Sequence, residues 1–550
     1  MRSWLPGLLA AALPAAAAAN DLPLSTADPE GNYIVPGVKG GIVYRRVDGQ
    51  ELNLDAYLQR RGRRRPAVVV IHGGGFSAGS RVAFVGQLLE TLSRAGYNWF
   101  SVDYRLGGPD RREEALDDLR AALTFVRGHA EALRIDPDRV ALLGEDAGAQ
   151  LAALLAADKP AGVRAVALIG GLYDGSEPAR VVRGGPDVLV VHGGRDTETP
   201  PEQAHRFCAG LVAAGSRCDE HLVEGAIHRA ENWLPSQWGY KDALVAWLRA
   251  PIGPGRPAHE PYRTRLQKDV VYDPERGLRL DAWVPTARGP FPAVVLAHGG
   301  GWEAGDKVTY ITPLFAPLAR AGFAWFSVDY RLTPQVHHRD QMDDLRRAVA
   351  FVRSSARRFK IDPDRVAVVG ESASGQMAAL LATEDRRLAA AVSFYGVYDF
   401  LPLLTDTSPG SRLERLFGLR ALDDAGRDLV RRYSPIHHVA KDMSPLLLVH
   451  GTGEGLWAQG IAMRDRLREV GAPHELVALE GAPHGMENWE GHPEWSHHKA
   501  KLVDWLSKQF DHENRQSGSG GATGGVGPPT QRGAGPAAAL PRQSTLARSR

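Results

Sequence analysis

The sequence predicts an α/β protein assembled from two tandem domains, each a mostly parallel sheet covered by helices on both faces. Three observations carry this. The chain repeats itself: HGGGF at His72 returns as HGGGW at His298, SVDYRL at Ser101 returns at Ser327, and IDPDRVA at Ile135 returns at Ile361, always at an offset of 226 residues. Within each copy, short apolar runs alternate with amphipathic stretches, the pattern of strands and crossover helices. The 550 residues, 43% of them hydrophobic, suffice for two cores of ordinary size.

The first nineteen residues have the form of a secretory signal. Arg2 supplies the positive start, an apolar run follows, and Ala17, Ala18 and Ala19 offer a small-residue cleavage site. A membrane anchor is the competing reading; Pro6 and Pro14 break the run and leave it short for a span. Secretion or delivery to a periplasm is therefore expected, without stable membrane insertion. The first domain is expected over residues 33–249. Residues 250–261, rich in Pro and Gly, read as a semi-extended linker. The second domain is expected over 262–512, and a Gly-, Ser- and Ala-rich tail over 513–550 reads as disordered.

In the second copy the runs at 293–297, 324–328, 366–369, 390–394 and 446–450 read as buried strands. Met342, Leu345, Val349 and Val352 step by three, four and three and so share one helix face; Leu116, Leu119, Leu123 and Val126 repeat the pattern in the first copy. Cys208 is expected on a helix and Cys218 at the start of the next strand, close enough for a disulfide in an exported protein. Two inert thiols is the alternative. Past residue 401 the offset grows from 226 to 258, between HGGRD at His192 and HGTGE at His450, so the second copy carries 32 extra residues within 401–441. An insertion there lies over the strand ends and is a candidate lid; a surface excursion is the alternative. A net charge of +2 argues against a general nucleic-acid footprint.

The chemistry concentrates in the second copy. Ser372 stands between a strand and a helix, where a sharp turn exposes a hydroxyl at a helix N-terminus. HGGGW follows a strand directly, and its backbone can aim amides at an oxyanion; Gly300, Gly301 and the Ala373 amide are the expected donors. His298 is expected to brace that loop and Trp302 to wall the pocket. His484 in EGAPHG is the expected general base and Glu454 in HGTGEG its carboxylate partner, with Asp399 as the other candidate acid. The order Ser372, Glu454, His484 follows the serine, acid, histidine order of a nucleophile-elbow fold. Ser374 stands where such a turn commonly has its second glycine.

Together HGGGWEAGDK, SVDYRL, IDPDRVAVVGESASG, SPIHHV and EGAPHG resemble the alpha/beta-hydrolase superfamily in its HGGGW-type serine esterase branch. The chain is similar to bacterial feruloyl and acetyl-xylan esterase-like proteins and to hormone-sensitive-lipase-like carboxylesterases. The resemblance implies two tandem alpha/beta-hydrolase domains and hydrolysis of small-molecule or carbohydrate esters through an acyl-enzyme, with no metal or organic cofactor. A lipase or peptidase of the same fold, or a non-enzymatic binding protein, are the alternatives. Acyl and alcohol preference, domain packing and oligomeric state are not readable.

The first copy keeps the glycine-rich loop, Asp196 and His228, but has Asp146 where the second has Ser372. A carboxylate there reads as loss of the nucleophile, and it should pair with His228. The alternative is an aspartate nucleophile of the epoxide-hydrolase kind, although Ala147 replaces the usual following tryptophan.

Overall fold

A computed structural model describes residues 34–59, 64–173, 185–255 and 265–517. The signal-like segment, the second half of the expected linker and the tail from residue 518 lie outside them. Among the described residues no helix is long and apolar enough to cross a membrane.

The first unit contains eight strands: β1 (Val38–Val47), β2 (Gln50–Tyr57), β3 (Arg65–Ile71), β4 (Asn98–Val102), β5 (Ile135–Glu145), β6 (Val163–Ile169), β7 (Asp187–Gly193) and β8 (Cys218–Val223). The second repeats them as β9 (Leu266–Asp273), β10 (Leu278–Trp283), β11 (Phe291–Ala297), β12 (Ala324–Val328), β13 (Ile361–Glu371), β14 (Ala390–Phe394), β15 (Leu446–Gly451) and β16 (His474–Leu479). The strand orders are β1-β2-β4-β3-β5-β6-β7-β8 and β9-β10-β12-β11-β13-β14-β15-β16, one topology written twice. In each sheet the strand next to the edge pairs antiparallel on both sides and the rest pair parallel.

Successive strand residues point to opposite faces. Val69 enters the core under one helical layer and Val68 the core under the other; Val295 and Val294 divide likewise. Burial on both faces explains why the central strands are unbroken apolar runs.

Two expected boundaries move. Helix Gly239–Ile252 carries the first unit past residue 249, because Ile252 is fully buried in its core and anchors the last turn. Helix Pro493–Ser517 runs past residue 512; Leu502, Leu506 and Phe510 dock one face, and adding residues to a docked helix costs little.

The units pack face to face through reciprocal contacts. The segment after each glycine-rich loop docks on the histidine-bearing segment of the other unit. Phe84 N donates to Glu487 Oε1 at 3.1 Å, and Gly79 N to Glu490 O at 3.0 Å. In the converse contact the Tyr310 hydroxyl reaches Glu231 O at 2.8 Å and Asn232 Oδ1 at 2.7 Å. Phe84 and Tyr310 occupy equivalent repeat positions, as do Glu231 and Glu487. Val308 of the second unit sits in the first unit's apolar core. A Cβ on Gly86 would collide with the Val308 carbonyl, so this close approach needs glycine. Lys268 Nζ lies 2.9 Å from Glu90 Oε1, and Arg94 Nη2 lies 2.8 Å from Asp269 Oδ2, across the same interface.

Candidate active site

β13 ends at Glu371, helix Ala373–Glu384 begins two residues later, and Ser372 is the bend between them. Its φ of 55° lies in the left-handed region, a conformation that costs a non-glycine residue of order 1–3 kcal/mol. Packing holds it there: Ser372 N donates to Phe394 O on β14 at 2.9 Å. Ser374 explains how the turn does without its second glycine. Its Oγ donates to Ala297 O at 2.7 Å and accepts from Glu371 N at 2.9 Å, tying β11 to the elbow. In the first unit Gly148 fills this position, and a Cβ there would collide with the carbonyl of Ile71, the counterpart of Ala297.

The structure brings Ser372, His484 and Glu454 together. Ser372 Oγ lies 2.9 Å from His484 Nε2, and His484 Nδ1 lies 2.5 Å from Glu454 Oε2. Glu454 is supplied by the loop after β15 and His484 by the loop after β16. Asp399 is elsewhere: its Oδ1 lies 3.6 Å from His437, and it makes no contact with His484. Burial disfavours charge on both partners, but the Glu454 hydrogen bond and the charges of Glu371 and Glu454 outweigh it at His484, and hydrogen bonds with His450 and His484 outweigh it at Glu454. The histidine is raised above its ordinary value and the carboxylate lowered below it.

Two further groups hold this pair and escaped the sequence reading. His450 Nδ1 lies 2.7 Å from Glu454 Oε1, so the carboxylate spans two imidazoles, and His450 Nε2 lies 3.0 Å from the Tyr398 hydroxyl. The Tyr395 ring packs edge-on against His484 at 4.6 Å, and its hydroxyl accepts from Met486 N at 2.6 Å. The repeat contained the signal for Tyr395, since the equivalent first-unit residue is Gly170.

Gly300 and Gly301 follow β11 with φ of 93° and 62°. Beneath the loop, a Cβ on Gly299 would collide with Glu371 Oε2. His298 is buried with Nδ1 2.9 Å from Gly299 O and its ring stacked on Tyr330 at 4.3 Å, so it braces the loop from behind. Burial pushes its pKa down to about 4, which keeps it neutral. Ala373 opens its helix, so its amide has no carbonyl one turn back to bond. Trp302 does not wall the cavity. It is buried against Phe400 at 5.2 Å and His338 at 6.0 Å, in one apolar cluster with Leu413, Leu416, Phe417 and Tyr433 of the insertion. The insertion, 401–441, contributes helices Arg412–Phe417 and Asp424–Arg432, with Leu413, Leu416, Phe417, Val430 and Tyr433 in the core; of these residues, Arg412 reaches the cavity.

The first unit shows what its glycine-rich loop binds. Asp146, at φ of 52°, accepts from Gly74 N at 2.9 Å and Gly75 N at 3.0 Å through Oδ2. The carboxylate thus occupies the position for which those amides are aimed. Gly300 and Gly301 are their repeat equivalents beside Ser372. Asp146 Oδ1 lies 3.4 Å from His228 Nε2, and His228 Nδ1 lies 2.8 Å from Asp196 Oδ2. Burial opposes charge on His228, but hydrogen bonds to the two aspartates outweigh it and raise its pKa to about 10. Cys208 and Cys218 are joined as a disulfide, with Cα atoms 5.5 Å apart, linking helix Pro201–Ala213 to β8.

A parallel sheet between helical layers, with a strained serine between strand and helix and a histidine and an acid on later loops, defines an α/β-hydrolase. The BD-FAE family model matches residues 54–162 and 280–456, just over half the chain and parts of both units, and the chain belongs to that family. It is 30% identical to the probable carboxylic ester hydrolase LipM of Mycobacterium tuberculosis over 233 residues, which are 38% of this chain and 54% of LipM. The chain thus spans about half the length of that relative. Esterase LipQ of the same organism is 28% identical over 396 residues, covering 66% of this chain and 88% of LipQ. Among solved structures, a truncated carbohydrate esterase from gut microbiota aligns with a TM-score of 0.41 at 22% identity, over 46% of this chain and 99% of its own.

Proposed function

We propose that this protein is a secreted serine carboxylic-ester hydrolase, acting through an acyl-enzyme on Ser372, with a catalytically silent first unit. The observation that carries the reading is the 2.9 Å contact of Ser372 Oγ with an imidazole whose other nitrogen is held by Glu454. Ser372 Oγ attacks the ester carbonyl carbon while its proton passes to His484 Nε2. The oxyanion forms before the amides of Gly300, Gly301 and Ala373. His484 returns the proton to the departing alkoxide, and water repeats the sequence to release the acid. Glu454 fixes the imidazole tautomer and stabilises its charged form. The names of the curated relatives agree with ester hydrolysis.

The first unit's silence follows from Asp146. Its oxygen already holds both amides, so neither an incoming oxyanion nor an attack by Asp146 itself is served. The Cys208–Cys218 bridge supports export to an oxidising compartment. Acetyl and feruloyl esters of carbohydrates are the first substrates to try, on the family resemblance. The test is 4-nitrophenyl acetate hydrolysis with fluorophosphonate labelling. Ser372→Ala should lose about 10⁴-fold or more in kcat and take up no probe. Labelling that persists in the variant removes Ser372 from the mechanism.

A further inference from the structure

The cavity before Ser372 holds about 460 Å³, and both units wall it. The second unit contributes the oxyanion loop, Ser372, His484 and Arg412; the first contributes Phe84, Ile227 and Arg229, among others. Two guanidinium groups therefore face one ester site from different parts of the chain.

Arg412 is exposed at the start of its helix, with Nη2 3.8 Å from where a Cβ on Gly301 would stand, so it overhangs the oxyanion loop. Among the described residues it makes no ion pair. Arg229 comes from the silent unit and lies over the Phe84 ring at 5.3 Å. Its Nη1 donates to Asn488 Oδ1 at 3.3 Å, and its nearest carboxylate, on Glu231, stands at the 4.0 Å limit of an ion pair. Most of its five donors are thus left for a ligand.

Four carboxyl groups share the cavity wall: Glu231, Glu303, Glu371 and Glu487. Glu303 is bonded to Arg415 at 2.9 Å. The other three are almost fully buried, and burial pushes each above the ordinary carboxylate range, Glu371 to about 7. Burial thus biases these three towards their neutral forms; Arg229 also lies in the field of Glu145, Asp146 and Glu198, while Arg412 has no ion-pair partner among the described residues.

We propose that Arg229 of the first unit and Arg412 of the insertion form an anion-binding subsite of the Ser372 cavity, so that the preferred substrates are esters carrying a carboxylate on the acyl or alcohol part. This rests on the reading of Ser372 as nucleophile. It gives the silent unit a use: it supplies half of the recognition surface for its sister's reaction.

The experiment compares isosteric pairs on the full chain: 3-acetoxybenzoate against 3-acetoxybenzamide, and mono-4-nitrophenyl succinate against 4-nitrophenyl succinamate. In at least one pair the carboxylate ester should be favoured by about tenfold in kcat/KM, as expected for a charge-assisted hydrogen bond. Arg412→Gln and Arg229→Gln should each shrink that preference several-fold, and Arg229→Lys should keep most of it. The ratio is read, not the rate, because Arg229 also touches the His484 loop through Asn488. A wild-type ratio near one in both pairs, or a ratio unmoved by either glutamine variant, overturns the subsite while leaving the esterase reading intact. If no ester is turned over, the esterase reading fails separately. Calorimetry with benzoate and benzamide then decides: binding of benzoate alone, lost in Arg412→Gln, supports the subsite, and equal or absent binding overturns it.

Discussion

At the scale of single residues, the two units differ by the atom that meets the glycine-rich loop. A hydroxyl at Ser372 leaves the amides of Gly300 and Gly301 for a reacting oxygen, whereas the carboxylate of Asp146 takes up the corresponding pair itself. This has consequences for pH. His484 serves as a base only when neutral, and its pKa is raised above the ordinary histidine value. The acid limb of kcat/KM should therefore fall above pH 6.5, and Glu454→Gln should move it down while cutting kcat by about 10³–10⁴-fold. A limb unmoved by that change would separate Glu454 from the imidazole. In the first unit, His228 should remain protonated in an NMR titration up to about pH 10. Because the folded value is the raised one, its contribution to stability is complete below about 6.5 and disappears as pH climbs through about 10. Asp146→Ser should lower this titration and, in a Ser372→Ala background, produce measurable esterase activity. A well-folded but inert double variant would show that more than the nucleophile was lost, with Gly170 in place of Tyr395 the first suspect.

At the scale of elements, legibility followed burial. Strands β12 and β14 lie inside the sheet and were readable to the residue as apolar runs. The edge strands β1, β9 and β16 mix buried and exposed positions, and a half-wet strand has no unbroken run to read. Trp302 was misplaced because its surroundings come from far along the chain: His338 and Phe400 pack on it, and Phe417 of the insertion packs on both of those. The disulfide was legible because a helix, a short turn and a strand set its ends close together. Closing so short a loop stabilises by about 2–3 kcal/mol in the chain-entropy picture. Replacing both cysteines by alanine should lower the urea stability of the first unit by that amount, with catalysis at Ser372 little affected. An unchanged midpoint would mean that the bridge constrains nothing in the unfolded chain.

At the scale of the whole molecule, the two units share an interface that reaches both histidine loops and walls the cavity before Ser372. Val308 ties the interface to the first unit's core. The protein should therefore unfold in one calorimetric transition, and Val308→Asp, which buries an unpaired charge, should split it into two. A single transition that persists in a folded Val308→Asp protein would show that the units are coupled by other contacts.

The duplicated α/β architecture and the candidate serine and histidine followed from the sequence alone, with the acid narrowed to Glu454 or Asp399. Periodicity, glycine placement and the repeat itself are local and can be read along the chain. Only the tertiary structure decided that Glu454 and not Asp399 reaches His484, that Asp146 fills its own loop, and that Arg229 lines the cavity of its sister's serine. Those are contacts between residues far apart in sequence, and their distances are set by how the sheets and units pack rather than by any local pattern.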